Sequence, residues 1–282
     1  MRKGFTLMEL VFVIVIFGIL SKFGADILYK IYENYVYSNT FNRLENQSEM
    51  AVKQIANRLQ YRIKDSTIAR DTLSGSIEPI GSNTGNETVL EWIGVDIDGW
   101  RGTVTTKPQW SGFIDLAAST SNVLNSPETN VTDSELGIFF IGSNVDLNSS
   151  AFGWDGTDLR NLASQSGAAI HPVDFATTSI TSAMTAATDF SNTDVYEYYE
   201  LARTAYAVEF DEDGRQLIFH YEYQPWLGET ASADSTSALI MDNVTSFKFT
   251  SMGDIMVIQV CVGDDNVTGV GEYSICKEKV VF

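Results

Sequence analysis

The pattern of apolar and polar positions changes twice along the chain. From Phe5 to Leu20 it is almost wholly apolar, interrupted only by Thr6, Glu9 and Gly18. As a helix rising 1.5 Å per residue this run spans about 24 Å, near the lower limit for crossing a bilayer. From Arg43 to Lys64 the pattern turns amphipathic. Leu44, Ala51, Val52, Ile55, Leu59 and Ile63 recur at helical spacing, while Glu45, Glu49, Lys53, Arg58 and Arg62 fall on other faces. One side is built to lie on a sheet. No proline occurs before Pro79, so a single helix over 5–66 is predicted, with a transmembrane segment at about 5–25. Gly18 and Gly24 are the points where it could bend.

From residue 67 the period shortens to that of strands. The clearest hairpin joins Tyr206–Phe210 to Leu217–Tyr223 across Asp211-Glu212-Asp213-Gly214. Further strands are predicted at Val89–Ile93, Ile138–Ile141, Ser246–Phe249, Ile255–Val262 and Tyr273–Val281. Together these predict an α+β fold: a long N-terminal helix, membrane-spanning in its first half, packed on an antiparallel β-sheet formed by a β-rich globular domain over 67–282. Between Leu116 and Thr193 the chain is rich in Ser, Thr, Asn and Ala, with one strand candidate inside it. This stretch, about 116–193, reads as an elaboration of the core, either a recognition surface or linker.

The chain has 282 residues, with 18 Lys and Arg against 37 Asp and Glu, a formal net charge of -19. So acidic a surface repels phosphate backbones and gains nothing from counterion release, which argues against direct nucleic-acid binding. Catalytic patterns are missing from the sequence: no Gly-x-Ser-x-Gly elbow, phosphate loop or dinucleotide fingerprint occurs. The histidines, His171 and His220, have no partner at metal spacing and read as satisfied strand residues. Acidic turns at Asp96-Ile97-Asp98-Gly99, Asp211-Glu212-Asp213-Gly214 and Asp264-Asp265-Asn266 lack the full alternating ligand run of a calcium loop, and Asp and Gly suit turns for backbone reasons alone.

The N-terminal segment carries a specific signature. Met1-Arg2-Lys3-Gly4 is a short basic leader, followed by Phe5-Thr6-Leu7-Met8-Glu9 and the apolar run. An ordinary secretory signal needs small residues after its apolar core, whereas Ser21-Lys22-Phe23-Gly24 puts large or charged side chains there. The first cysteine is Cys261, which leaves no lipidation thiol near the start. A plain membrane anchor stays open. The arrangement resembles the class III signal of the type IV pilin and type II secretion pseudopilin family. That resemblance implies a leader of residues 1–4 cut after Gly4 by the prepilin peptidase, N-methylation of Phe5, and a helix retained for filament assembly. Arg2 and Lys3 place the N-terminus in the cytoplasm and the domain in the periplasm, in a single pass through the bacterial inner membrane. The stretch Leu239–Phe249 and the apolar strand from Ile255 resemble the late strands of J-type minor pseudopilins and W-type minor pilins.

Glu9 has two readings. A carboxylate at bilayer depth costs about 2.5–3.5 kcal/mol, so it implies a partner. Thr6 and Glu9 have the spacing of a capping box, which would supply one locally. The resemblance implies another, the amine of Phe5 on a neighbouring subunit. Cys261 and Cys276 are either a bridge permitted by an oxidising compartment or a pair of thiols; the resemblance favours the disulfide, and also makes Asp264 and Asp265 the weak calcium candidates, with no other cofactor.

The implied function is a structural filament subunit, a minor pilin or pseudopilin of a type II secretion pseudopilus or type IV pilus, not an enzyme. Its partners would be other pilin or pseudopilin subunits, the prepilin peptidase, the inner-membrane assembly platform and, before assembly, membrane lipid. After assembly it would sit in a periplasmic pseudopilus or surface pilus. The alternative is a filament-tip adhesin or substrate-binding module on the same anchor, marked by an exposed aromatic patch around Trp100, Trp110 or Trp154. A membrane-anchored enzyme comes last.

Overall fold

A computed structural model describes residues 6–82, 85–143, 149–185, 189–263 and 274–282. The leading element is α1 (Leu7–Leu59), a 53-residue helix about 80 Å long. It passes through Gly18 and Gly24 without interruption. The amphipathic stripe read from the sequence is the packing face: Leu44, Ala51, Val52, Ile55, Ala56 and Leu59 are buried, together with Ser48. The helix ends earlier than position 66 because sheet hydrogen bonds take over from helical ones. Ile63 N–H donates to Ile93 O at 2.9 Å and Val95 N–H to Tyr61 O at 2.8 Å.

The strands divide into two sheets, where the sequence suggests one. Among the described residues ten strands form the larger: β1 (Ile68–Arg70), β2 (Ile77–Pro79), β3 (Val89–Val95), β4 (Val123–Asn125), β5 (Leu136–Phe140), β6 (Ile170–Ala176), β7 (Ser179–Ser182), β8 (Tyr199–Asp211), β9 (Gln216–Tyr223) and β10 (Thr236–Met241). The smaller antiparallel sheet is β11 (Val244–Met252), β12 (Ile255–Gly263) and β13 (Ser274–Val281). Asn243, at φ 61°, turns the chain from β10 into β11 and so from one sheet to the other.

The larger sheet forks at β8. One edge of this 13-residue strand pairs with β3. The other carries β5 on Tyr199–Ala202 and β9 from Ala205 onward, with a register shift between Ala205 and Ala207. The branch through β5, β6, β7 and β4 is built from the Ser/Thr-rich stretch, and its own core includes Ile138, Phe140, Val173, Ile180 and Leu201. On the other branch, α1, the smaller sheet and the inner face of β3, β8 and β9 enclose a shared core containing Leu59, Trp92, Phe219, Phe247 and Ile258.

β13 is the strand on which α1 lies most extensively, and Lys277 on it pairs with Glu45 of the helix at 2.7 Å. Cys261 and Cys276 stand directly opposite each other on β12 and β13 and are bridged, their Cα atoms 4.0 Å apart. The bridge therefore ties the helix-bearing strand to its neighbour.

Two buried titratable groups oppose each other in pH. Burial pushes the Glu91 carboxyl up to about 7, against the pull of Arg70 3.3 Å away. Neither Glu91 oxygen gains a well-directed hydrogen bond, so attraction does not offset desolvation. Burial likewise holds His171 down at about 4, its Nδ1 against Gln165 Oε1 at 2.7 Å. A raised carboxyl means the native state binds more protons than the unfolded chain, so Glu91 removes stability as pH climbs from 4.5 to 7. A depressed imidazole does the reverse, and His171 removes stability as pH falls from 6.5 to 4. Each is worth on the order of 3 kcal/mol across its window. The two nearly cancel in wild type, so Glu91→Gln is expected to make the urea midpoint rise between pH 4.5 and 6.5 relative to wild type, and His171→Gln to make it fall. Identical pH profiles for all three chains would contradict these assignments.

Candidate functional site

Among the described residues, the first half of α1 packs against no other element. Every large apolar side chain from Leu7 to Leu20 is exposed, from 45% at Ile16 to 82% at Leu7, and exposure continues through Phe23, Ile27 and Leu28. The first buried helical residue is Leu44, so an arm of roughly 55 Å projects from the domain. By length and composition it is fit to cross a membrane. Such a surface is stable only against lipid or against other apolar helices.

At its tip the capping box forms. Thr6 Oγ1 accepts from Glu9 N–H at 3.3 Å, and Glu9 Oε2 accepts from both Thr6 N–H and Thr6 Oγ1–H at 3.1 Å. All three contacts satisfy the helix start, and the carboxylate contacts fall on one oxygen of an exposed side chain. Capping and an outward charge contact are therefore compatible at Glu9.

Comparison with family models places a known signature on this arm: residues 1–21 match the prokaryotic N-terminal methylation motif. The chain has a prepilin-type N-terminus. The motif supports membership of the type IV pilin and pseudopilin family without distinguishing its branches, and it covers the arm, not the domain. No curated protein and no solved structure matches the chain. The α+β architecture, a long apolar N-terminal helix leading into antiparallel sheets, is itself pilin-like.

Other predicted positions fall elsewhere. Gly4, Phe5, Asp264 and Asp265 lie outside the described residues. Among the described residues no group of three or more His, Cys, Asp or Glu is placed to hold a metal ion. The other acidic turns use their carboxylates locally. Asp96 accepts from Gly99 N–H and pairs with Arg203 at 3.0 Å, and Asp211 accepts from Gly214 N–H. His220 sits between Glu209 and Ser235, 3.0 Å from each. Trp110 and Trp154 are buried, their indole N–H groups donating to Asp96 O and Ser66 O. Trp100 is 44% exposed.

Proposed function

We propose that this chain is a minor pilin or pseudopilin, drawn from the inner membrane into a filament by an assembly platform. The observation that carries the reading is the unpartnered apolar arm, which begins in a methylation motif. The prepilin peptidase cuts after Gly4, the new N-terminus at Phe5 is methylated, and the arm exchanges lipid for the arms of neighbouring subunits. Glu9 meets the Phe5 amine of a neighbour; in a bundle that excludes water this pairing offsets the cost of two charges and fixes register. The domain stands in the periplasm until assembly. Its forked sheet is a large elaboration to repeat along a filament, which favours a minor subunit. A binding role on the same anchor is a second reading, favoured by the exposed ring of Trp100.

Glu9→Gln and Glu9→Ala separate the two roles of the carboxylate. Glutamine keeps the capping box and removes the charge. Both variants should be cleaved normally and enter filaments poorly, at roughly a tenth of wild type or less, as read by immunoblot of sheared filaments and given the few kcal/mol at stake in a desolvated pair. Normal incorporation of Glu9→Gln would show that the residue only caps the helix.

A further inference from the structure

Beside the C-terminal end of α1, at the opposite end of the helix from the membrane arm, a groove of about 740 Å³ opens between the helix terminus and the β5–β8 branch. Its aromatic lining is held in place by the fold. Trp100 packs on buried Trp110 with ring centroids 4.6 Å apart, and Trp110 packs on Tyr199. Gly112, at φ 71°, allows this: a Cβ there would sit 3.3 Å from both the Trp100 ring and Tyr199 O. Tyr198, in the bridge just before β8, and Glu200 on it share a face by the two-residue period of extended chain. Phe113 bridges to Tyr198, and Phe139 lies opposite Glu200. Trp100, Phe113, Tyr198 and Ile141 leave a third or more of their surface in solvent.

The charges in the groove are unevenly used. Arg62 donates to Leu59 O at 2.8 Å and Asp254 O at 2.6 Å, and Lys64 pairs with Asp254 at 3.2 Å. Lys64 is thus paired with a carboxylate, whereas Arg62 gives its terminal nitrogens to backbone carbonyls and its Nε has no partner. Among the described residues, neither the Asp65 nor the Glu200 carboxylate forms a side-chain hydrogen bond or ion pair. Burial, reinforced by repulsion from Asp65 and opposed by attraction to Lys64, raises the Glu200 pKa. The site combines exposed aromatic faces, which carry negative quadrupole potential, with two carboxylates that form no close ion pair, Lys64 acting on Glu200 only from a distance.

We propose that this groove receives a lysine side chain of a partner protein, its methylene stem along the Trp100 ring and its ammonium beside Tyr198 and the carboxylates of Asp65 and Glu200. A bound cation relieves the repulsion between the two carboxylates and adds a cation–π contact. The net charge of -19 steers such a partner toward the domain. The inference goes beyond the filament reading and does not depend on it, since the groove and the methylation motif lie at opposite ends of the helix.

The test is titration of the full chain in non-ionic micelles with Nα-acetyl-lysine N-methylamide, followed by tryptophan fluorescence and calorimetry. Saturable binding that falls with salt is expected, about tenfold weaker in Trp100→Ala and in Glu200→Gln. The probe acetylated on Nε should not bind. Trp100→Phe, which keeps an aromatic face, should restore most of the affinity. Absence of saturable binding up to the solubility of the probe, equal binding by the acetylated probe, or equal binding by the Ala and Gln variants would overturn the proposal. So would binding of chitobiose in place of the amine, which would make the groove a saccharide site.

Discussion

Replacing Gly4 with leucine is expected to leave the chain in the membrane at full length, still beginning at Met1. A residue without a side chain before the cut allows close approach of the backbone to the peptidase, and a leucine side chain obstructs it. The consequence for assembly is larger than the local change. An uncut chain keeps Arg2 and Lys3 ahead of the apolar run. Moving each into hydrocarbon costs about 2.5–3.5 kcal/mol, which anchors the arm and opposes its extraction. Immunoblotting of membrane fractions should show only the precursor and no filament-borne protein. Normal processing of the variant would remove the prepilin assignment.

Removal of the disulfide should have the largest effect on the domain itself. The bridge closes a sequence separation of 15 residues. Chain-entropy arguments assign such a loop about 3 kcal/mol. Against total stabilities of about 5–15 kcal/mol that is a major share. The position amplifies it, because β13 carries both the bridge and the Lys277–Glu45 contact to α1. Cys261→Ala/Cys276→Ala, which avoids placing a hydroxyl at the buried Cys261 position, is expected to melt about 10 °C below wild type. Proteolysis should begin near β13. An unchanged melting temperature would show that the strand pairing alone holds this sheet.

How much of this was legible in the sequence depended on the range of the interaction. The packing stripe of α1 and the β8–β9 hairpin are local periodicities, and both stand in the structure at the residues that carry the pattern. The boundary at Leu59 was not legible, because it is set by hydrogen bonds to β3, more than thirty residues further on. β6 was hidden by Pro172, a residue that argues against an internal strand, yet β6 pairs with both β5 and β7. The fork at β8 needs one strand edge to serve two partners, which no periodicity encodes. The aromatic groove draws on the helix end, the region near residue 110 and the start of β8, so only tertiary structure brings it together. At the N-terminus the opposite holds. The methylation motif and the Thr6–Glu9 capping box are written in nearby residues; the structure forms the box and adds the exposure of the arm.

The most direct test of the central claim is intact mass and N-terminal sequencing of the protein isolated from its native membrane. The expected product is a chain that has lost Met1–Gly4 and begins at N-methylated Phe5. A chain that begins at Met1, or beyond Ser21, would contradict it.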